Sequence, residues 1–330
     1  MKFQMTNFEL RSLRPLAGEG KSDPIRNSQF AIRNFSGFSL IEVMVAVALM
    51  SLIVIALMAV FSSTQKAFRA SVTQTDVLEG GRAAMELITQ DLRQMTPSGG
   101  ISNVTSTVNG AVNFSVLANN NTYLPLVQGL PGSSVQRTNL LNYFFVLSRQ
   151  NTKWIGVGYI VDNTNSSTLY PLYRYYRDDL SVRSNPLLLF SDFTGIIASG
   201  QWTNSSMSHV MDGVVHLTVR ANDTNGVWMN NTVRPYTNVQ NTLFFSSPPF
   251  QYGYGEAQFY MFSNTVPASV ELELGVLEDR VLARAESLPN NVPAAAPNDR
   301  RTLYLRDQSG KVHLFRQLVT IPNVDPTAYQ

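Results

Sequence analysis

"SGFSLIEVMV" (residues 36–45) sets a glycine and a short Phe-Ser-Leu-Ile run ahead of one glutamate, Glu42, with a long apolar stretch behind it. Between Phe38 and Phe61 only Ser39, Glu42 and Ser51 are polar in 24 residues. As a helix this run is about 36 Å long, enough to cross a hydrocarbon layer of about 30 Å with some tilt. A cleaved secretory signal has an apolar region of roughly 7 to 15 residues ending in a small-x-small site. This run is longer, and "AVFSSTQ" (59–65) offers a poor site. It reads as a membrane-spanning segment. A carboxylate inside such a helix costs about 2.5–3.5 kcal/mol on insertion scales and marks a function or a paired partner. The plainer reading is a glutamate snorkelling from the helix end to the interface.

The flanks orient the segment. Residues 1–37 carry Lys2, Arg11, Arg14, Lys21, Arg26 and Arg33 against Glu9, Glu19 and Asp23, a net +3 in a chain whose total is +2. Positive residues tend to stay on the cytoplasmic side, so the leader is expected there and the remainder outside. Downstream, no proline occurs between Pro24 and Pro97. The helix is therefore expected to continue to about Met95, with Leu78, Met85, Ile88, Leu92 and Met95 forming one apolar stripe. Gly80 and Gly81 mark a bend or a close contact within it, and "TPSGG" (96–100) ends it. The expected segments are 1–37 as a basic leader, 38–61 as the spanning part of the helix, 62–96 as its outer half and 97–330 as a β-rich domain.

Composition narrows the chemistry. A chain of 330 residues with 44% hydrophobic and 15% charged residues can build its own core. The small net charge names no nucleic-acid partner. With no cysteine, disulfides, thiolate catalysis and Cys-based metal sites are excluded.

Cleavage after Gly37 would make Phe38 the first residue and place a new positive amine at the membrane face. Glu42 would then be the fifth residue of the shortened chain. The amine does not readily reach its own Glu42, but an adjacent subunit shifted along a bundle axis can present its amine to that carboxylate. Such pairing would set the axial register of an assembly.

"GFSLIEVMVAVALMSLIVIALM" (37–58) resembles the processing and methylation site of type IV pilins and type II secretion pseudopilins. The resemblance implies that a prepilin peptidase in the membrane cuts after Gly37 and methylates the Phe38 amine, and that Glu42 guides assembly. It implies that Leu40, Ile41, Val43 and the apolar residues after them pack the filament core. The chain departs from that pattern in its long leader and in having Ala59 where major pilins place a helix-bending proline.

Beyond the helix, "AVNFSVLA" (111–118), "NYFFVLS" (142–148), "WIGVGYIVD" (154–162), "LYPLYRYY" (169–176), "GVVHLTVRA" (213–221) and "SVELELGVL" (269–277) show the alternation or the β-branched and aromatic enrichment of strands. "DNTNSS", "RDD" and "NDTNG" supply turn chemistry between them. The fold class expected is α+β, a long N-terminal helix packed on antiparallel sheet. A short helix at 279–288, an aperiodic loop at 285–301 and a last strand near 311–321 complete the reading.

"VGYIVDNTNSSTLYPLYRYYRDD" is similar to the Tyr strand, turn and Leu-x-Arg strand of J-type minor pseudopilins. "MDGVVHLTVRANDTNGVWM" with "VPASVELELGVLEDR" resembles their Gly-Val strand, Trp-bearing turn and Pro-x-x-Val-x-Leu strand. The J-like pattern as a whole extends over about two thirds of the chain, with these stretches as its downstream motifs. Residues 227–265 look like an insertion. The size and the ending "HLFRQLVTIPN" are also similar to the Verru/Chthon cassette protein C family.

Chemical motifs are thin. His209, His216 and His313 have no acidic neighbour at a metal-ligand spacing and read as structural. Glu271 and Glu273 share one strand face; an acid–base pair is conceivable there, solvated outer-face residues simpler. The oxygen-rich turns at 162–167 and 222–226 lack the distal glutamate of an EF-hand, so turn chemistry is preferred over weak calcium binding. "LYRYYR" (172–177) has the composition of a single-strand nucleic-acid platform, and more simply that of a strand with cross-strand aromatics.

The expected protein is thus a structural subunit and no enzyme, with no catalytic residue, cofactor, metal, nucleic acid or small-molecule substrate. It is a J-like minor pseudopilin at the tip of a type II secretion pseudopilus, single-pass in a bacterial inner membrane with its sheet domain periplasmic. Its partners would be a prepilin peptidase and other minor and major pseudopilins. A minor pilin of a type IV pilus and an uncleaved, signal-anchored periplasmic binding protein are the alternatives. An anchored hydrolase is disfavoured because no nucleophile, base and orienting group come together in the sequence.

Overall fold

The computed structural model describes residues 37–99, 104–105, 107–108, 111–118, 125–163, 169–178, 186–229, 243–245, 258–289 and 300–329. Apart from Gly37, the expected leader lies outside them, as do most of the turn at 162–167 and of the loop at 285–301. Its contacts divide the chain into residues 1–61 and 62–330. In the first unit, residues 40–61 are helical and exposed throughout.

In order, the elements are α1 (Leu40–Arg93), β1 (Val104–Thr105), β2 (Thr107–Val108), β3 (Val112–Ala118), β4 (Leu126–Gly129), β5 (Gln136–Asn139), β6 (Asn142–Gln150), β7 (Lys153–Val161) and β8 (Leu172–Asp178). There follow α2 (Leu187–Ser199), β9 (Met207–Met211), β10 (Val214–Asn222), β11 (Leu243–Phe245), β12 (Phe259–Phe262), β13 (Ser269–Leu277), α3 (Asp279–Glu286), α4 (Arg300–Arg306) and β14 (Val312–Thr320). Strands β11-β12-β3-β6-β7-β8-β9 form one antiparallel sheet and β10-β13-β14 a second, with β4-β5 and β1-β2 as separate pairs. This is the α+β arrangement of a long helix and antiparallel sheets.

Within the second unit, the helix buries Met85, Ile88 and Leu92 against both sheets, and Met95 follows just past its end. The stripe differs from expectation at its start, where Val77 is buried and Leu78 half-buried. Gly81 makes a close contact in an unbroken helix: a Cβ there would fall on the Phe315 ring of β14. The helix stops at Arg93, two residues early, because the Met95 backbone bridges to Ser148 and Thr96 N donates to Leu147 O at 2.9 Å.

Both faces of the large sheet are covered, which is why β6 reads as a continuous apolar run rather than an alternating one. Phe144 and Val146 point to the α1 side; Phe145 and Leu147 point to α2. Helix α2 is absent from the sequence reading. Gly200 closes it in the left-handed region (φ 63°), its amide donating to Ile196 O and Ile197 O. The glycines of β7 make room for it: a Cβ at Gly156 would lie 2.9 Å from Phe145 Cε2 and 3.0 Å from Leu189 Cβ. The segment expected as an insertion supplies β11 and β12 to the large sheet, with Phe259, Met261 and Phe262 fully buried. The expected loop at 285–301 ends in α4, where Arg301 is buried and donates to the Ala285, Glu286 and Leu288 carbonyls that close α3.

Candidate functional site: the segment around Gly37 and Glu42

Three residues, Gly37, Phe38 and Ser39, precede the first helical residue, Leu40. The first turn of any helix leaves backbone N–H groups without intrahelical partners. Here the Ser39 hydroxyl accepts from Glu42 N at 3.3 Å, and the Ser39 carbonyl accepts from Glu42 N at 3.0 Å and Val43 N at 3.3 Å. Ser-x-x-Glu is the spacing of a capping box, and Glu42 in the first turn suits the positive end of the helix dipole. Sequence reasoning missed this cap, although Ser39 and Glu42 signal it directly.

Phe38, Glu42, Ala46 and Met50 fall on one helical stripe, and with Val43 and Val47 they line an open groove of about 480 Å³. Phe38 is 81% exposed, Leu40 78%, Ile41 71% and Val43 51%. A surface this apolar and this open is suited to lipid or to a neighbouring helix. Among the described residues no ion pair includes Glu42. Gly37 has open space where a Cβ would stand. Among the described residues, nothing around it requires glycine.

The β-rich unit uses its polar groups internally. Asp91, near the end of α1, is 6% exposed, and both its oxygens accept from the Arg174 guanidinium of β8 at 2.8 Å. The Tyr159 hydroxyl of β7 donates to the same carboxylate. Burial and the Asp91 carboxylate push that phenol above its ordinary value of 10.0, so it remains a donor. The Leu-x-Arg strand at 172–174 therefore acts as a clamp on the helix. The rest of "LYRYYR" is also engaged: Arg177 pairs with Asp192 at 2.6 Å, Tyr173 stacks on Trp202 and Tyr176 lies under Arg174.

Each histidine faces a carboxylate: His209 Nε2 lies 2.8 Å from Asp212, His313 Nε2 3.4 Å from Glu278 and His216 Nε2 3.6 Å from Glu273. Sequence spacing hides Glu273 and Glu278, which lie across strands or far along the chain, but not Asp212, three residues after His209. Among the described residues no group of three or more His, Asp or Glu is placed to hold a metal. Glu271 and Glu273 lie on the open face of β13, both paired with Arg316 of β14. Asp223 in the "NDTNG" turn accepts from Asn225 N at 2.9 Å and Val227 N at 2.8 Å, so its carboxylate serves the turn. The cleft beside α2, about 730 Å³, is lined by Ser191 and Ser199, whose hydroxyls donate to carbonyls of α2 itself, and by no histidine among the described residues.

His216 carries a pH dependence. Burial, with the Arg137 guanidinium nearby, outweighs Glu273 and holds its imidazole down at about 4, against 6.5 in the unfolded chain. Between those values the unfolded chain binds the extra proton, so stability is complete above 6.5 and falls as pH drops toward 4. Chemical denaturation of the full chain in detergent at pH 7 and pH 4.5 should show a loss on the order of 2–3 kcal/mol from this group. His216→Gln should flatten the profile; an unchanged slope would remove the assignment.

Residues 32–62 match the family model described as "Prokaryotic N-terminal methylation motif". No curated protein and no solved structure matches the chain. The motif, together with a single described helix long and apolar enough to cross a membrane, supports a type IV pilin-like or pseudopilin protein broadly and fits a single-pass membrane anchor.

Proposed function

We propose that this chain is a minor pseudopilin of J type, a structural subunit that a prepilin peptidase cuts between Gly37 and Phe38 and that then joins the tip of a type II secretion filament. The observation that carries the reading is Gly37. The methylation motif spans it, it stands outside the helix, and its own surroundings leave space for a side chain. The demand for glycine then comes from an enzyme that must close around the bond. Hydrolysis adds the water hydroxyl to the Gly37 carbonyl carbon and leaves the proton on the Phe38 nitrogen. A methyl group from a methyl donor then replaces one N–H proton of that amine.

In the assembled filament, the Phe38 ammonium of one subunit neutralises Glu42 of its neighbour, while Leu40, Ile41 and Val43 pack against adjoining helices. The basic leader holds the cytoplasmic side and residues 62–330 face the periplasm. The J-type assignment rests on the resemblance of the stretches at 157–179, 211–229 and 266–280 to the motifs of that family. No reaction of its own is assigned to the chain.

Mass spectrometry of the protein purified from its native membranes tests this. The expected N-terminus is Phe38 bearing a methyl group, and Gly37→Leu should abolish processing and retain residues 1–37. A wild-type protein that keeps its leader would remove the pseudopilin reading.

A further inference from the structure

We propose that Ser39 is a positioning residue for processing: its cap fixes the start of the helix at Leu40 and so keeps the Gly37–Phe38 peptide bond outside it. This rests on the pseudopilin reading and extends it to how the bond is presented. A protease needs a bond whose carbonyl and flanking amides are free to enter its active site, and loops rather than helices are where chains are cut. Long apolar helices tend to propagate, because each added residue closes another hydrogen bond once a first turn exists. Here α1 has 54 residues and an apolar start, so something must stop it short of the bond.

The Ser39 hydroxyl is placed to do this. It accepts from Glu42 N at 3.3 Å beside the Ser39 carbonyl at 3.0 Å, so the donor that a serine cap takes in the capping-box arrangement is shared between the two oxygens. The Ser39 carbonyl accepts the first helical bond, from Val43 N at 3.3 Å, while Gly37 and Phe38 stay outside the helix. Phe38 is 81% exposed and Gly37 has no atom near its missing Cβ, so the two residues flanking the bond are held by nothing else described. Without the hydroxyl, the first helical residue shifts upstream, Phe38 enters the first turn, and the Gly37 carbonyl is withdrawn into a hydrogen bond from Ile41 N. The cap thus acts on the cut one residue away from it, without touching the reacting atoms.

The test uses the full chain in membranes with a prepilin peptidase, following release of the leader over time. Ser39→Ala removes the cap and should slow cleavage about fivefold, whereas Ser39→Thr keeps a hydroxyl and should stay within about twofold of wild type. Hydrogen exchange on the uncut chains should show new protection at Ile41, whose N–H reaches the Gly37 carbonyl once the helix is longer, in Ser39→Ala and none in Ser39→Thr. Cleavage of Ser39→Ala at the wild-type rate would overturn the proposal. So would an equal slowing of both variants, which would mean that the enzyme reads serine itself. If wild-type chain is not cut at all, the pseudopilin reading falls and this inference falls with it; if wild type is cut and the variants do not differ, the inference alone falls.

Discussion

Asp91→Ala should lower the stability of the folded chain by about 3–5 kcal/mol, a large fraction of what a domain has to lose. The carboxylate is buried and holds two strands to one helix, accepting from Nε and Nη2 of the Arg174 guanidinium and from the Tyr159 hydroxyl. Its removal leaves a cation, 19% exposed, and a phenol without their acceptor. Desolvated groups left alone cost more than their pairing contributed. Denaturant unfolding of the full chain in detergent, followed by tryptophan fluorescence, measures the loss. The double variant Asp91→Leu with Arg174→Met should recover much of it, since apolar groups of similar size leave no charge stranded. A loss below about 1 kcal/mol for Asp91→Ala would show that the clamp is not a fastening for the helix.

Glu42→Val should insert in the membrane and be processed at Gly37, yet fail to enter filaments. Losing the carboxylate relieves the helix of about 2.5–3.5 kcal/mol of insertion cost, so the monomer is not harmed. The same energy is what a neighbour's ammonium recovers on pairing, which makes the expected drop in subunit association on the order of 100-fold. Crosslinking of the variant to the other pilin-type subunits in membranes reads this directly. Wild-type crosslinking yields would contradict the pairing role.

The parts of the fold visible in the sequence are those with a period. Strand β13 runs over the expected residues, Ser269–Leu277, because Val270, Leu272 and Leu274 alternate with Glu271 and Glu273. The helix was legible for the same reason. Helix α2 carried a stop signal in Gly200 and apolar residues at Leu189, Phe193, Ile196 and Ile197, a spacing of four, three and one. It was passed over beside stronger strand patterns. The clamp was half visible: Asp91 lies three residues from Ile88 and four from Met95, an acid on an apolar stripe. Its partner Arg174 is 83 residues away, and only tertiary packing brings the two together. At the processing segment Gly37, Phe38 and Glu42 were legible as a motif. The Ser39 cap is written there too, in the Ser-x-x-Glu spacing of Ser39 and Glu42.

The contact between Gly81 and Phe315, and the bond from Asn323 Nδ2 to Met95 O across 228 residues, join the start of the domain to its end. The helix therefore emerges from the ribosome long before the strand that must close over it. At 5–20 residues per second that wait is roughly ten to fifty seconds. Throughout that interval the nascent polypeptide cannot complete its core, and the helix waits with its inner stripe uncovered until synthesis is nearly finished.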